Sequence, residues 1–156
     1  MFKKRKSRYY IQIQLKSYYN NIIMGVMYSM PSYNYYQLQD RMNKQKNNQN
    51  DIILINTLPI TRQDCLIKGT LKAFIEVEFM NKLLKTNKNK EIVVYGIHHT
   101  DTSVIQKYNQ LKKLGFTNVH IYFGGMYEWL LLQEVFDTIN FQTDGNIKNI
   151  VDYKID

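Results

Sequence analysis

Three short aliphatic runs punctuate the chain: Ile52-Ile53-Leu54-Ile55, Ile92-Val93-Val94-Tyr95 and Val119-His120-Ile121-Tyr122. Each is too short for a stable helix and carries too little alternation for a sheet with one wet face, so they predict strands covered on both sides. Between them the apolar positions fall at helical spacing. Ser32-Tyr33-Asn34 supplies cap residues for a helix over 35–46, with Tyr36, Leu38 and Met42 as its apolar face. A second helix is predicted over 75–84 with Phe79, Leu83 and Leu84 inward, preceded by a weakly alternating strand over 66–74. A third begins after Asp101 or Thr102 as cap, carries Val104, Ile105, Tyr108, Leu111 and Leu114, and stops at Gly115. Gly124-Gly125 marks the turn into a closing helix over 126–136 that contains Trp129. Strands alternating with helices imply βα units on a mainly parallel sheet with helices on both faces.

Length and composition narrow this to one domain. At 156 residues a second independent core would be marginal, and 44% hydrophobic residues suffice to fill a single one. The net charge of +8 is unevenly placed. Residues 1–39 hold six basic side chains (Lys3, Lys4, Arg5, Lys6, Arg8, Lys16) and no acidic one, leaving fifteen basic against thirteen acidic residues elsewhere. The basicity therefore belongs to an N-terminal arm, and contact with nucleic acid or an anionic membrane is expected only through it. The stretch 9–21 is too interrupted by Gln, Lys and Asn to be a secretory signal, and no window offers the roughly 20 apolar residues of a membrane span. One cysteine, Cys65, rules out an internal disulfide framework. An intracellular, cytoplasmic monomer is the expectation. Met24-Gly25-Val26-Met27-Tyr28-Ser29 has the form of an N-myristoylation signal, which is silent unless translation starts at Met24.

Several local sequences then fall in a telling order. Asp51-Ile52-Ile53-Leu54-Ile55-Asn56-Thr57 is followed by Cys65-Leu66-Ile67-Lys68-Gly69-Thr70-Leu71, by the run ending in Gly96, and by Leu114-Gly115-Phe116 leading through a strand to Gly124-Gly125-Met126-Tyr127-Glu128-Trp129. In this order the chain resembles the rhodanese-like family over residues 32–141, and it is similar to members encoded by large DNA viruses. In that family the first segment ends in Asp-Val-Arg, the second reads His-Ile-x-Gly-Ala-Ile, and the last reads Leu-Gly-Phe, strand, Gly-Gly, three residues, Trp. The resemblance implies a rhodanese-like three-layer α/β fold with a five-stranded, mainly parallel sheet flanked by helices. It divides the chain into a basic, flexible N-terminal extension (1–31), the domain (32–141) and a C-terminal tail (142–156) that wraps the surface.

The resemblance also implies sulfur transfer, which needs a thiolate carried on an active loop at the carboxyl end of a central strand. Such an anion is held by inward backbone N–H groups and a helix N-terminus. Here Gly96 stands at the nucleophile's place and Ile97 where the loop's first arginine often lies. The related phosphatase pattern of Cys, five residues and Arg fails as well, with Gly96 at its start and Thr102 at its end. The expected site is therefore a degenerate loop of Gly96, Ile97, His98, His99, Thr100, Asp101 and Thr102, with no catalytic residue, no cofactor and no metal. Asp101 opposes an anion there unless it is used as a helix cap. Two adjacent histidines with Asp101, even with His120, do not make a convincing ligand set. Gly124, Gly125 and Trp129 read as architecture. The chain is thus expected to be a non-catalytic module for a protein partner or a small anion. The competing expectation is sulfur transfer through Cys65, or a reaction at His98 and His99.

Overall fold

The structure of the protein is a computed structural model that describes residues 25, 29–46, 52–145 and 149–154. The chain divides into two compact units, Met1–Met30 and Pro31–Asp156, and all the elements below belong to the second. The basic run Lys3-Lys4-Arg5-Lys6 and Met24 lie outside the described residues.

Four helices and six strands make up the second unit among the described residues: β1 Ser32–Tyr33, α1 Tyr35–Lys46, β2 Ile53–Asn56, β3 Leu66–Ile67, α2 Ala73–Thr86, β4 Ile92–Tyr95, α3 Ser103–Leu114, β5 Val119–Tyr122, α4 Gly125–Val135 and β6 Thr143–Asp144. Short 3-10 turns occupy Ile60–Arg62 and Ile150–Tyr153. The main sheet runs β1-β5-β4-β2 with every pair parallel, and the register sets Asn56, Tyr95 and Tyr122 side by side at its carboxyl edge. The three predicted aliphatic runs are β2, β4 and β5, and apart from half-buried His120 their residues are buried.

The expected fifth strand is reduced to one parallel bridge, Leu54 to Thr70. Leu66 and Ile67 pair instead, antiparallel, with Thr143 and Asp144, and Asp144 also accepts the Gly69 N–H at 2.9 Å. This second ladder draws the segment away from β2, so the main sheet has four strands. The residues after Phe141 do more than wrap the surface, since they supply β6 and the buried Tyr153.

Helix α1 starts at a reciprocal cap: Asn34 Oδ1 accepts the Gln37 N–H at 2.9 Å, and Gln37 Oε1 accepts the Asn34 N–H at 3.0 Å. Its inward stripe is Tyr35, Leu38 and Met42, whereas Tyr36, expected inward, is exposed. Full burial of Leu38 stabilises this contact by about 1.5–3 kcal/mol. Helix α2 begins two residues earlier than predicted, and its buried residue is Met80, one position past the expected Phe79, which is exposed. In α3, Val104 and Leu111 are buried but Leu114 is exposed, because it belongs to the last turn before Gly115. Gly115 takes φ 101° and returns its N–H to the carbonyls of Leu111 and Lys112, which ends the helix.

Side chains alternate across the sheet, and the two faces fill separately. Leu54, Val93, Tyr95 and Tyr122 join Leu38 of α1 and Met126, Trp129 and Leu130 of α4 in one buried cluster. Ile53, Ile55, Val94 and Ile121 point the other way, where α3 packs on β4 and β5 and Lys107 reaches Glu76 of α2 at 2.7 Å. Among the described residues no helix is long and apolar enough to cross a membrane.

Candidate functional site

Strand β4 ends at Tyr95 and α3 begins at Ser103, so the intervening loop lies at the carboxyl edge of a central parallel strand, where open α/β sheets bind ligands. Its backbone is clamped from two sides. Gly96 O accepts the Met126 N–H at 2.9 Å and Ile97 O accepts the Tyr127 N–H at 2.8 Å, tying the loop to the first turn of α4. On the other side Thr57, just past β2, donates its N–H to Tyr95 O at 3.0 Å.

Asp101 organises the interior of the loop. One carboxylate oxygen accepts the Ile97 N–H at 2.9 Å, and the other accepts the Ser103 N–H at 3.0 Å. Ser103 Oγ lies 2.6 Å from Asp101 and 2.6 Å from Thr57 Oγ1. Ser103 Oγ shares its one proton between these two acceptors, and the Thr57 hydroxyl donates in turn to Tyr95 O at 3.4 Å. A negative side chain at the start of a twelve-residue helix is favoured by the helix dipole as well. Of the two caps the sequence offers, Asp101 does the capping, and the Thr102 side chain makes no such bond.

This carboxylate fills the space beside Gly96. A Cβ built on Gly96 would run into the Asp101 carboxylate and come within 2.9 Å of Val104 Cγ1. The N–H groups of Ile97 and Ser103 are both taken by this carboxylate of the chain's own. The rest of the loop is more open: His98 is half-buried, its Nδ1 is 3.0 Å from Thr100 Oγ1, and His99, Thr100 and Thr102 are exposed.

The other candidates lie elsewhere. Cys65 is buried at the start of β3 beside Thr143 and Asp144, and burial first, with Asp144 adding, pushes its thiol upward. His120 stacks on Tyr33 at 4.3 Å along the β1–β5 pair and contacts Asn118 at 2.9 Å. Among the described residues no three His, Cys, Asp or Glu side chains converge as metal ligands would. Trp129 is buried under the α4 turn, donates its indole N–H to Gln142 O at 3.2 Å and meets Phe141 edge-on. Sequence reasoning missed Thr57, which reaches the loop only through the fold; the Ser103 hydroxyl, a candidate for an anion or a phosphorylated partner by sequence, is instead engaged with Asp101 and Thr57.

Comparison with known proteins agrees with this geometry. The family model for the rhodanese-like domain matches residues 44–132. Among solved structures, the crystal structure of the Alr3790 protein from Anabaena sp. superposes with a TM-score of 0.52 at 21% identity, covering 74% of this chain and 93% of that one. The solution structure of the rhodanese-like domain of the same protein gives 0.52 at 22% identity over 76% and 82%. The BH2092 protein from Bacillus halodurans gives 0.51 at 15% identity over 74% and 80%. At such identities these likenesses concern the fold. No match is found among curated proteins. The family match spans more than half of the sequence, and the strand, loop and helix of the site stand where the motifs put them, so the chain belongs to the rhodanese-like domain family.

Proposed function

We propose that this chain is a rhodanese-like domain without sulfur-transfer chemistry of its own, acting as a protein-interaction module. The observation that carries the reading is the Asp101 carboxylate in the space a side chain on Gly96 would need. Two conditions for the family's chemistry are thereby absent from the loop: a sulfur to ionise, and free N–H donors to hold it as an anion. A small anion, the alternative occupant, would have to displace a carboxylate fixed by three hydrogen bonds. Cys65 is a poor substitute nucleophile, because burial disfavours its thiolate and it sits at β3 rather than on the loop.

The test is thiocyanate formation from thiosulfate and cyanide by the purified chain. No turnover is expected, and turnover that survives metal removal and disappears in Cys65→Ser would replace this reading with an enzyme. A sharper arm restores the cysteine. Gly96→Cys alone should gain no persulfide, because Asp101 obstructs the sulfur and repels its thiolate. Gly96→Cys with Asp101→Ala should gain one, the thiolate attacking the outer sulfur of thiosulfate, forming an S–S bond and releasing sulfite. Mass spectrometry reads the added sulfur atom. Equal labelling of the single and double variants would remove Asp101 from the argument.

A further inference from the structure

The chain reverses just after α4, and the reversal builds a pocket away from the active loop. Asp137 closes it: one carboxylate oxygen accepts the Asn140 N–H at 2.6 Å and the other accepts the Asn140 side-chain amide at 2.8 Å. Gln39 of α1 donates to Asn140 O at 2.9 Å and pins the reversal to the first helix. The result is a depression of about 290 Å³ lined by Tyr35, Gln39, Phe136, Asp137, Asn140 and Phe141.

Three of those six residues are aromatic. Phe141 is buried and backed by Trp129 at 5.1 Å, with Tyr35 at 6.1 Å and Phe136 at 6.0 Å on its flanks. Phe136 is 61% exposed, so much of its surface has no partner within the fold. The hydrogen bonds from Asn140 hold the Asp137 carboxyl below the usual carboxylate range, so it is an anion at neutral pH. No lysine or arginine lines the pocket.

We infer that this pocket, formed where Asp137 meets Tyr35, Phe136 and Phe141, receives an arginine side chain of a partner protein. Aromatic faces are electron-rich and attract a cation, an anion is repelled by Asp137, and a purely apolar guest would cover a carboxylate without pairing it. A carboxylate offers about four acceptor sites. Asn140 takes two of them and the Ile139 N–H also donates to the group, which leaves one for a guest N–H. A flat guanidinium stacks on a ring while one of its N–H groups meets the carboxylate, which a compact ammonium does not do. The carboxylate is already oriented before any guest arrives, so binding orders little on the protein side. The inference goes beyond the reading of the active loop and does not depend on it; sulfur transfer at the loop would leave it standing.

The experiment titrates the full chain with N-acetyl-arginine amide and follows backbone amide shifts of Phe136, Asp137, Asn140 and Phe141 by NMR. Saturable shifts with a dissociation constant on the order of 1 mM are expected for a single side chain. N-acetyl-citrulline amide, of the same shape without the charge, should bind at least tenfold more weakly, and N-acetyl-lysine amide several-fold more weakly. Asp137→Asn should weaken arginine binding about tenfold, the price of one charge-assisted pair being of that order, and Phe136→Ala several-fold. Phe136 is exposed, so its truncation leaves the fold intact, and a thermal melt verifies it. Should Asp137→Asn disturb the reversal, arginine against citrulline on the unaltered chain still decides. Absence of shifts, shifts elsewhere, or equal binding of citrulline overturns the inference.

Discussion

Two strand-to-helix turns stand side by side at the carboxyl edge of the sheet, each built on glycine, and the reasons for the glycine differ. Gly125, at the start of α4, takes φ 65°, and a Cβ there would sit 2.7 Å from Gly96 O and 2.8 Å from the Ile97 carbonyl. The obstacle is backbone, and backbone held by two hydrogen bonds from Met126 and Tyr127. Gly96, after β4, lies outside the left-handed region, and what a Cβ would meet is side chain: Asp101 and Val104. One glycine is demanded by the course of the main chain. The other is matched to the side chains that occupy the space beside it, Asp101 above all.

The largest effect should come from the first glycine. Gly125→Ala combines left-handed strain of about 1–2 kcal/mol with overpacking of about 1–3 kcal/mol, so a loss of about 2–5 kcal/mol is expected in urea unfolding. Loss of under about 0.5 kcal/mol would mean that the turn yields easily and the contrast with Gly96 is empty.

Part of this contrast was legible in the sequence and part was not. Strands β2, β4 and β5 were readable because burial on both faces leaves continuous aliphatic runs, and Asn34 with Gln37 and Gly115 mark helix ends by local chemistry. The fifth strand was not, because its residues pair with Thr143 and Asp144, some 75 positions downstream, a choice no local pattern encodes. Tyr36 and Phe79 were each assigned inward one position away from the residues that are, Tyr35 and Met80, since aromatic residues on a short helix blur its phase. At the loop, Gly96 at the end of β4 was plain from the sequence. That the Asp101 carboxylate sits against it, in a loop closed by Thr57, 46 residues before Ser103, was not.

A smaller effect separates Asp101 from ordinary caps. Asp101→Ala removes three hydrogen bonds to one carboxylate and should cost about 1–2 kcal/mol, as loss of a helix cap does. The informative measurement is its coupling to Gly96. Gly96→Ala should be destabilising by about 1–3 kcal/mol in the natural background and less so once Asp101 is alanine, with a coupling of at least about 0.5 kcal/mol. The same cycle between Asp101 and Gly125 should show no coupling of that size, because the obstacle at Gly125 is main chain. Equal coupling in both cycles would erase the distinction between a demanded glycine and an accommodated one.

The smallest effect tests whether the two turns share anything with the far edge of the sheet. His120 is stacked on Tyr33, with Glu91, Arg41 and Lys112 in its electrostatic surroundings. Tyr33 also donates to Glu91 at 2.8 Å, and burial followed by that bond pushes its phenol up to about 12. Burial lowers the imidazole of His120 below its ordinary value, Arg41 and Lys112 lower it further, and Glu91 opposes them. The folded state therefore prefers the neutral ring, and the unfolded chain binds the extra proton first. This contribution is complete above an unfolded value of about 6.5 and is lost as the pH falls through the lower folded value. Unfolding free energies measured at descending pH from 7.5 should decline in that window. His120→Phe, which keeps a ring against Tyr33, should flatten the decline there, while the steeper loss from carboxylates below about pH 4 remains. Gly125→Ala and Asp101→Ala should shift the whole curve without changing its slope in the histidine window, since neither residue is among the groups that perturb His120. A changed slope in either variant would mean that the turns and the β1–β5 edge unfold as coupled parts, and that the two glycines report on a shared element rather than on their own surroundings.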